Sequence, residues 1–173
     1  SIFRTWLRYS ATAGSDLTAS PLDEGKTARE LNRLAGRLRP AVAAAKGGAG
    51  VVDAFRVVLL EEEGFRYDAV AGNPENFLAE GVISRKRGNC LGLSLLWLSL
   101  AERLGVPFRG AYVPGHCFVR YEGKGTRENV EFSDGGAPWE DELYLRKFRL
   151  RGNGPYLRSL SSAEMLGVFL KSV

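Results

Sequence analysis

The sequence has few of the residues from which small proteins build disulfides or metal sites. It contains two cysteines and one histidine in 173 residues. Two cysteines are too few for a disulfide framework. A zinc site is also unfavourable, because there is no Cys-x-x-Cys pair and two of the available ligands would be neighbours on one strand. Those ligands would be Cys90, His116, Cys117 and Glu131. We therefore expect no metal and no other cofactor.

The sequence also lacks a long apolar run and a strong excess of charge of one sign. No apolar run reaches the length that spans a membrane. The 24 basic and 20 acidic residues give a net charge of +4, with both signs interspersed. The one dense basic run, residues 85–87, is better explained as a solvated loop than as a nucleic-acid site. We expect a soluble domain with neither a membrane nor a nucleic acid as partner, and the sequence indicates no compartment.

Residues 90–104 form the centre of the predicted fold. They are apolar on nearly every face, follow a turn at residues 88–89, and end at Gly105, so the pattern predicts a buried helix. The helix begins with Cys90. Because the first turn of a helix offers unpaired N–H groups and the positive end of its dipole, this position favours a thiolate over a thiol.

The remaining pattern predicts an α+β fold. Residues 1–25 are predicted to be an irregular N-terminal arm with a short helical start, and residues 26–173 a single domain that begins with helices. Strands are predicted over residues 107–113, 116–121 and 129–133, followed by a long loop with a short helix and a last helix over residues 162–170. The buried helix would pack on a small antiparallel sheet. The chain begins at Ser1 without a recognisable signal, as a fragment of a longer protein would.

A thiol nucleophile needs a base and a third group that orients the base. His116 opens one predicted strand, and Glu131 lies on the next, where the neighbouring apolar residues turn it away from the core. Asp134 is the alternative acid. If His116 faces Cys90, alternation turns Cys117 the other way, as a small core residue.

An acyl-transfer reaction also needs donors for the oxyanion. The backbone N–H of Cys90 at the helix start would supply one of them. Asn76 and Asn89, in the turns that precede the helix, are the candidate side-chain donors and substrate contacts. Both residue types are also frequent as helix caps and in turns.

The motifs around these residues resemble the transglutaminase-like superfamily, whose core is papain-like and whose triad is Cys-His-Asp or Cys-His-Glu. The resemblance is carried by Arg87-Gly88-Asn89-Cys90, Pro114-Gly115-His116-Cys117-Phe118 and Asn129-Val130-Glu131-Phe132. It implies that Cys90 is the nucleophile, His116 the base and Glu131 the orienting acid. Residues 59–65 and 73–78 resemble a bacterial branch in which tetratricopeptide repeats commonly follow. This branch implies a C-terminal repeat region that is absent from this chain.

Together these observations predict a cysteine-dependent acyl-transfer enzyme that acts on amide or peptide bonds of a protein or peptide substrate. Hydrolysis is favoured over transamidation, because water is always present whereas an amine acceptor needs its own site. The aromatic Phe118 stands two positions after His116, whereas in true transglutaminases it often follows the histidine directly. The alternative is a catalytically inactive transglutaminase-like module that binds a protein. The presence of Cys90 favours the enzyme.

Overall fold

The computed structural model describes residues 1–17, 23–70, 72–152 and 154–171. The helices are α1 (Ile2–Leu17), α2 (Glu24–Ala44), α3 (Gly47–Arg56), α4 (Ala79–Arg85), α5 (Cys90–Leu104), α6 (Asp141–Lys147) and α7 (Ser162–Leu170). The strands are β1 (Arg66–Tyr67), β2 (Arg87–Gly88), β3 (Phe108–Val113), β4 (His116–Gly123), β5 (Thr126–Val130) and β6 (Ser159–Leu160). A π-helical segment, Val57–Glu62, continues α3. The fold is α+β, as predicted, and none of the described helices has the length and apolarity to cross a membrane.

Helix α5 lies at the centre of the fold and has the bounds that its sequence predicts. Every residue from 91 to 101 is buried, because leucines occupy most faces of the helix. The Asn89 side chain caps the helix by accepting hydrogen bonds from the N–H groups of Leu91 and Gly92, at 3.1 and 2.9 Å. Gly105, with φ of 66°, ends it in the left-handed conformation. The helix therefore holds Cys90 at a fixed position.

An antiparallel sheet with the strand order β5-β4-β3-β6 packs against α5. Strands β3 and β4 form a hairpin that pairs Val113 with His116 and turns through Gly115, whose φ is 77°. One face of the sheet joins the large core around α5, to which Cys117 belongs. The other face carries a small core around Phe118, which packs on α6. The sheet thus separates two apolar cores of unequal size.

The N-terminal segment differs from its prediction, because α1 occupies residues expected to be irregular. Its buried side chains at positions 2, 3, 6 and 7 have the spacing of one helix face, and α1 packs on α5. The Trp6 indole N–H donates to the carbonyl of Phe77 at 2.8 Å. Packing on the core therefore overrides the weak local signal. Residues 18–22 of the predicted arm lie outside the described residues.

Candidate active site

Cys90 is the first residue of α5 and lines a cavity of about 800 Å³. Its side chain is partly exposed, and the same cavity wall carries His116 and Cys117. The remaining lining of the cavity includes Asn89 and Leu91, together with residues of α7 and of the β3–β4 hairpin. The helix start and the hairpin therefore bring the cysteine and the histidine to one solvent-accessible space.

His116 is held from two directions. Its Nε2 lies 2.7 Å from Oε2 of Glu131, and its ring stacks on Phe148 with 5.3 Å between the ring centroids. The side chain is almost wholly buried. Because Glu131 occupies Nε2, Nδ1 is the ring nitrogen that remains for the Cys90 thiol.

Glu131 is fully buried, and both of its oxygens accept hydrogen bonds. Oε2 accepts from His116 and from the Tyr144 hydroxyl at 3.0 Å, and Oε1 accepts from the N–H and hydroxyl of Ser133 at 2.9 and 2.7 Å. Asp134, the alternative acid, instead accepts from the indole N–H of Trp139 at 2.9 Å. The geometry therefore pairs His116 with Glu131. Burial opposes ionisation of Glu131, but hydrogen bonds from His116 and Ser133 lower its pKa.

The electrostatics favour an ion pair between Cys90 and His116. A hydrogen bond from the Cys117 thiol lowers the pKa of Cys90 to about 4, burial opposes this shift, and a hydrogen bond from His116 adds to it. Burial alone would lower the pKa of His116, but hydrogen bonds to Cys90 and Glu131 raise it to about 9. Between about pH 4 and 9 the pair is therefore a thiolate and an imidazolium.

Cys117 corrects one prediction. Alternation turns it away from His116 and into the core on α5, as expected, but it shares the cavity wall with Cys90, and its thiol and backbone N–H lie close enough to lower the pKa of Cys90. The expectation that Cys117 would not meet Cys90 is therefore wrong. The physical reason is that Cys90 lies on the helix that packs against the face carrying Cys117, whereas His116 opens the strand beside the helix start.

The two asparagines differ in position. Asn89 lines the cavity, but its side-chain oxygen caps α5, so only Nδ2 is left to donate to an oxyanion. Asn76 is fully buried and is absent from the described lining of that cavity. Its side chain donates to the carbonyl of Val70 at 3.3 Å and accepts from Arg85 at 3.2 Å. These contacts give Asn76 a structural place outside the described cavity lining, and its role as an oxyanion donor stays a prediction.

Tyr144 and Ser133 complete the site and were not predicted. The sequence pattern does not predict a contact between Tyr144 and Glu131, because α6 lies in a segment predicted only as a long loop with a short helix. Ser133 could have been found, since a serine two residues after an acid commonly forms a local turn with it. No group of three or more potential metal-ligating side chains converges within the described residues.

A cysteine at the start of a buried helix, beside a histidine that opens one strand and a carboxylate that directly follows the next, is the arrangement of the papain-like fold that cysteine-dependent enzymes use. The chain belongs to the transglutaminase-like superfamily, whose family model matches residues 25–161. It is 31% identical over 91 residues to UPF0162 proteins from two strains of Xylella fastidiosa, Temecula1 and 9a5c. The match covers 51% of this chain and 32% of those proteins.

A solved structure shares this fold. The crystal structure of a TGase superposes with a TM-score of 0.55 at 12% sequence identity, over 93% of this chain and 50% of that one. The chain therefore spans about a third of the curated relatives and half of the solved protein. The predicted repeat region beyond this chain stays a prediction.

Proposed function

We propose that the protein is a cysteine-dependent acyl-transfer enzyme that hydrolyses amide or peptide bonds. The observation that carries the proposal is the arrangement of three side chains: Cys90, at the start of α5, and His116 line one cavity, and His116 Nε2 lies 2.7 Å from the buried carboxylate of Glu131. A base oriented by a buried acid is the usual means of activating a thiol.

In this mechanism the Cys90 thiolate attacks the carbonyl carbon of the substrate. The backbone N–H of Cys90, unpaired in the first turn of α5, and Nδ2 of Asn89 are the candidate donors to the oxyanion. The His116 imidazolium then protonates the leaving amine, which departs and leaves a thioester on Cys90. Neutral His116 next takes a proton from water, which attacks the thioester and releases the acid. Glu131 keeps His116 oriented throughout.

The protein or peptide substrate would lie in the cavity beside Cys90. A volume of about 800 Å³ is in the range of cavities that enclose a ligand of several residues or a drug-sized molecule. Water is present in any such cavity, whereas transamidation needs a bound amine. We therefore propose hydrolysis as the main reaction.

The experiment is acylation by p-nitrophenyl acetate, followed by intact mass and peptide mapping. We expect one acetyl group on Cys90, none on Cys90→Ala, and release by water at a rate that a lysine ester does not increase. A large increase with the amine would instead favour transamidation. The absence of an acetyl group on Cys90 at pH 7 would contradict the proposed enzymatic activity and favour the alternative, a catalytically inactive module that binds a protein.

A matched pair of variants tests the orienting acid. Glu131→Gln should slow acetylation about a hundredfold, because it weakens the hold on His116. Asp134→Asn keeps an acceptor for Trp139, so we expect the rate of the parent protein. Equal rates of Cys90 acetylation in Glu131→Gln and Asp134→Asn would show that Glu131 does not orient His116 in the reaction.

A further inference from the structure

Two buried groups beside Cys90 take no part in the proton transfers of the acyl-transfer mechanism. One is the Cys117 thiol, which lies against Cys90, and the other is the hydroxyl of Ser94, one helical turn further along α5. Both side chains are buried. Neither of them is needed to orient His116 or to take its proton.

Ser94 is unusual for a serine inside a helix. Such a hydroxyl commonly donates to the carbonyl four residues earlier, as Ser99 does to Leu95 at 2.6 Å. The Ser94 Oγ has no hydrogen-bond partner among the described residues. It lies near the sulfur of Cys117, whose pKa it lowers. Because buried polar groups normally have a hydrogen-bond partner, an unpartnered hydroxyl beside the Cys117 sulfur indicates that this sulfur has a function.

Cys90 and Cys117 line the same cavity, where Cys90 is partly exposed and Cys117 is buried. Each of the two thiols is close enough to shift the pKa of the other, so a small oxidant that enters this cavity meets Cys90 with a second thiol beside it. A thiolate at a partly exposed position is the form of cysteine that peroxides oxidise.

We propose that Cys117 is the resolving thiol of Cys90: it captures Cys90 after oxidation as an intramolecular disulfide, which stops acyl transfer reversibly and prevents further oxidation. The inference rests on the proposed function, because it requires a reactive Cys90 thiolate.

The chemistry balances with one hydroperoxide. The Cys90 thiolate attacks the peroxide O–O bond, becomes a sulfenic acid and reduces the peroxide to an alcohol or water. The Cys117 sulfur then attacks the Cys90 sulfur, the S–O bond breaks, and the hydroxide leaves as water with a proton from His116 or Cys117. The Cys90 thiolate and burial both raise the pKa of Cys117. Oxidation of Cys90 to a neutral group removes the first of these two influences, burial persists, and Ser94 continues to lower the pKa of Cys117.

The experiment treats the protein with one equivalent of hydrogen peroxide and maps both cysteines by mass, with and without dithiothreitol. We expect a Cys90–Cys117 disulfide within monomers, and full recovery of Cys90 alkylation and acetylation after reduction. In Cys117→Ala and Cys117→Ser, Cys90 should stop at the sulfenic acid with one equivalent of peroxide and pass with a second equivalent to sulfinic acid, which dithiothreitol does not reverse. Ser94→Ala should slow disulfide formation roughly fivefold, with the sulfenic acid accumulating.

Two results would overturn the inference. One is sulfinic acid on Cys90 of the parent protein while Cys117 stays free, and the other is a disulfide found only between molecules. If Cys90 still accepts an acetyl group in either case, the proposed function stands and only the resolving role fails. If Cys90 reacts with neither the peroxide nor the ester, both proposals fail together.

Discussion

Alkylation of Cys90 by iodoacetamide should be nearly independent of pH from about pH 5 to 8. The pKa of Cys90 is lowered to about 4, so the thiolate is complete above pH 5, and the pKa of His116 is raised to about 9, so the imidazolium persists up to about pH 9. An ordinary thiol with a pKa of about 8.5 would gain nearly a thousandfold in rate over the same interval.

The magnitude depends on two opposing effects. At pH 6 a pKa of about 4 gives Cys90 about 300 times the thiolate of an ordinary cysteine, for which the pKa is ~8.5. The lower basicity reduces the nucleophilicity of that thiolate about a hundredfold, with a Brønsted coefficient of about 0.45. The net advantage is about threefold at pH 6 and about thirtyfold at pH 5. The shape of the profile is therefore more diagnostic than any single rate.

The assay follows the two cysteine peptides separately by mass across this pH range. Cys117 is 3% exposed and should stay unmodified in the folded protein, as an internal control. In His116→Ala the inflection in the pH profile of the Cys90 alkylation rate should rise by more than one pH unit, because the hydrogen bond and charge of the imidazolium are lost. A Cys90 rate that increases tenfold per pH unit in the parent protein would refute the ion pair.

Four further substitutions have expected outcomes. Tyr144→Phe removes a hydrogen bond to Glu131 and should lower the rate of Cys90 acetylation about tenfold at unchanged affinity for the ester. Gly92→Ala would place a Cβ 2.2 Å from the Asn76 carbonyl oxygen and should lower the free energy of unfolding in urea by about 2 kcal/mol. Its control is Gly36→Ala in an open part of α2, which should raise the free energy of unfolding by up to about 1 kcal/mol. Glu63→Gln should cost about 2 kcal/mol at pH 7, because Arg33 holds the pKa of Glu63 at about 2.

The pH dependence of the last variant has a definite sign. The pKa of Glu63 is depressed in the folded state, so its contribution is complete above the unfolded value of about 4.3 and is lost as the pH falls through about 2. The difference between Glu63→Gln and the parent protein should therefore shrink from pH 5 to pH 2. A constant difference over that range would exclude the ion pair with Arg33 as its cause.

Helix α5 and the β3–β4 hairpin could be predicted because their signals are local. The cap at Asn89, the continuous apolar run and the stop at Gly105 define the helix without reference to the rest of the chain. The proximity of His116 and Glu131 was also predictable, since the apolar residues flanking Glu131 leave it only one face. The catalytic roles of these residues remain predictions.

Features that depend on how elements pack could not be predicted. Helix α1 forms because its apolar face packs on α5, and the local sequence does not show that this packing partner exists. The contact of Cys117 with Cys90 depends on where the start of α5 meets the sheet. Tyr144 reaches Glu131 only because α6 folds back over the small core.

The division of the protein into two cores has a consequence for its local stability. Cys90 is held by the large core, whereas His116 and Glu131 depend on the small core beneath α6, which has only four fully buried apolar or aromatic residues. Arg120 ties this region together through Asn129 and Asp141. Regions with few buried contacts open at lower free energy than the whole protein. Amide hydrogens of α6 should therefore exchange before those of α5, and the site should be disassembled by local opening while the central helix is still folded.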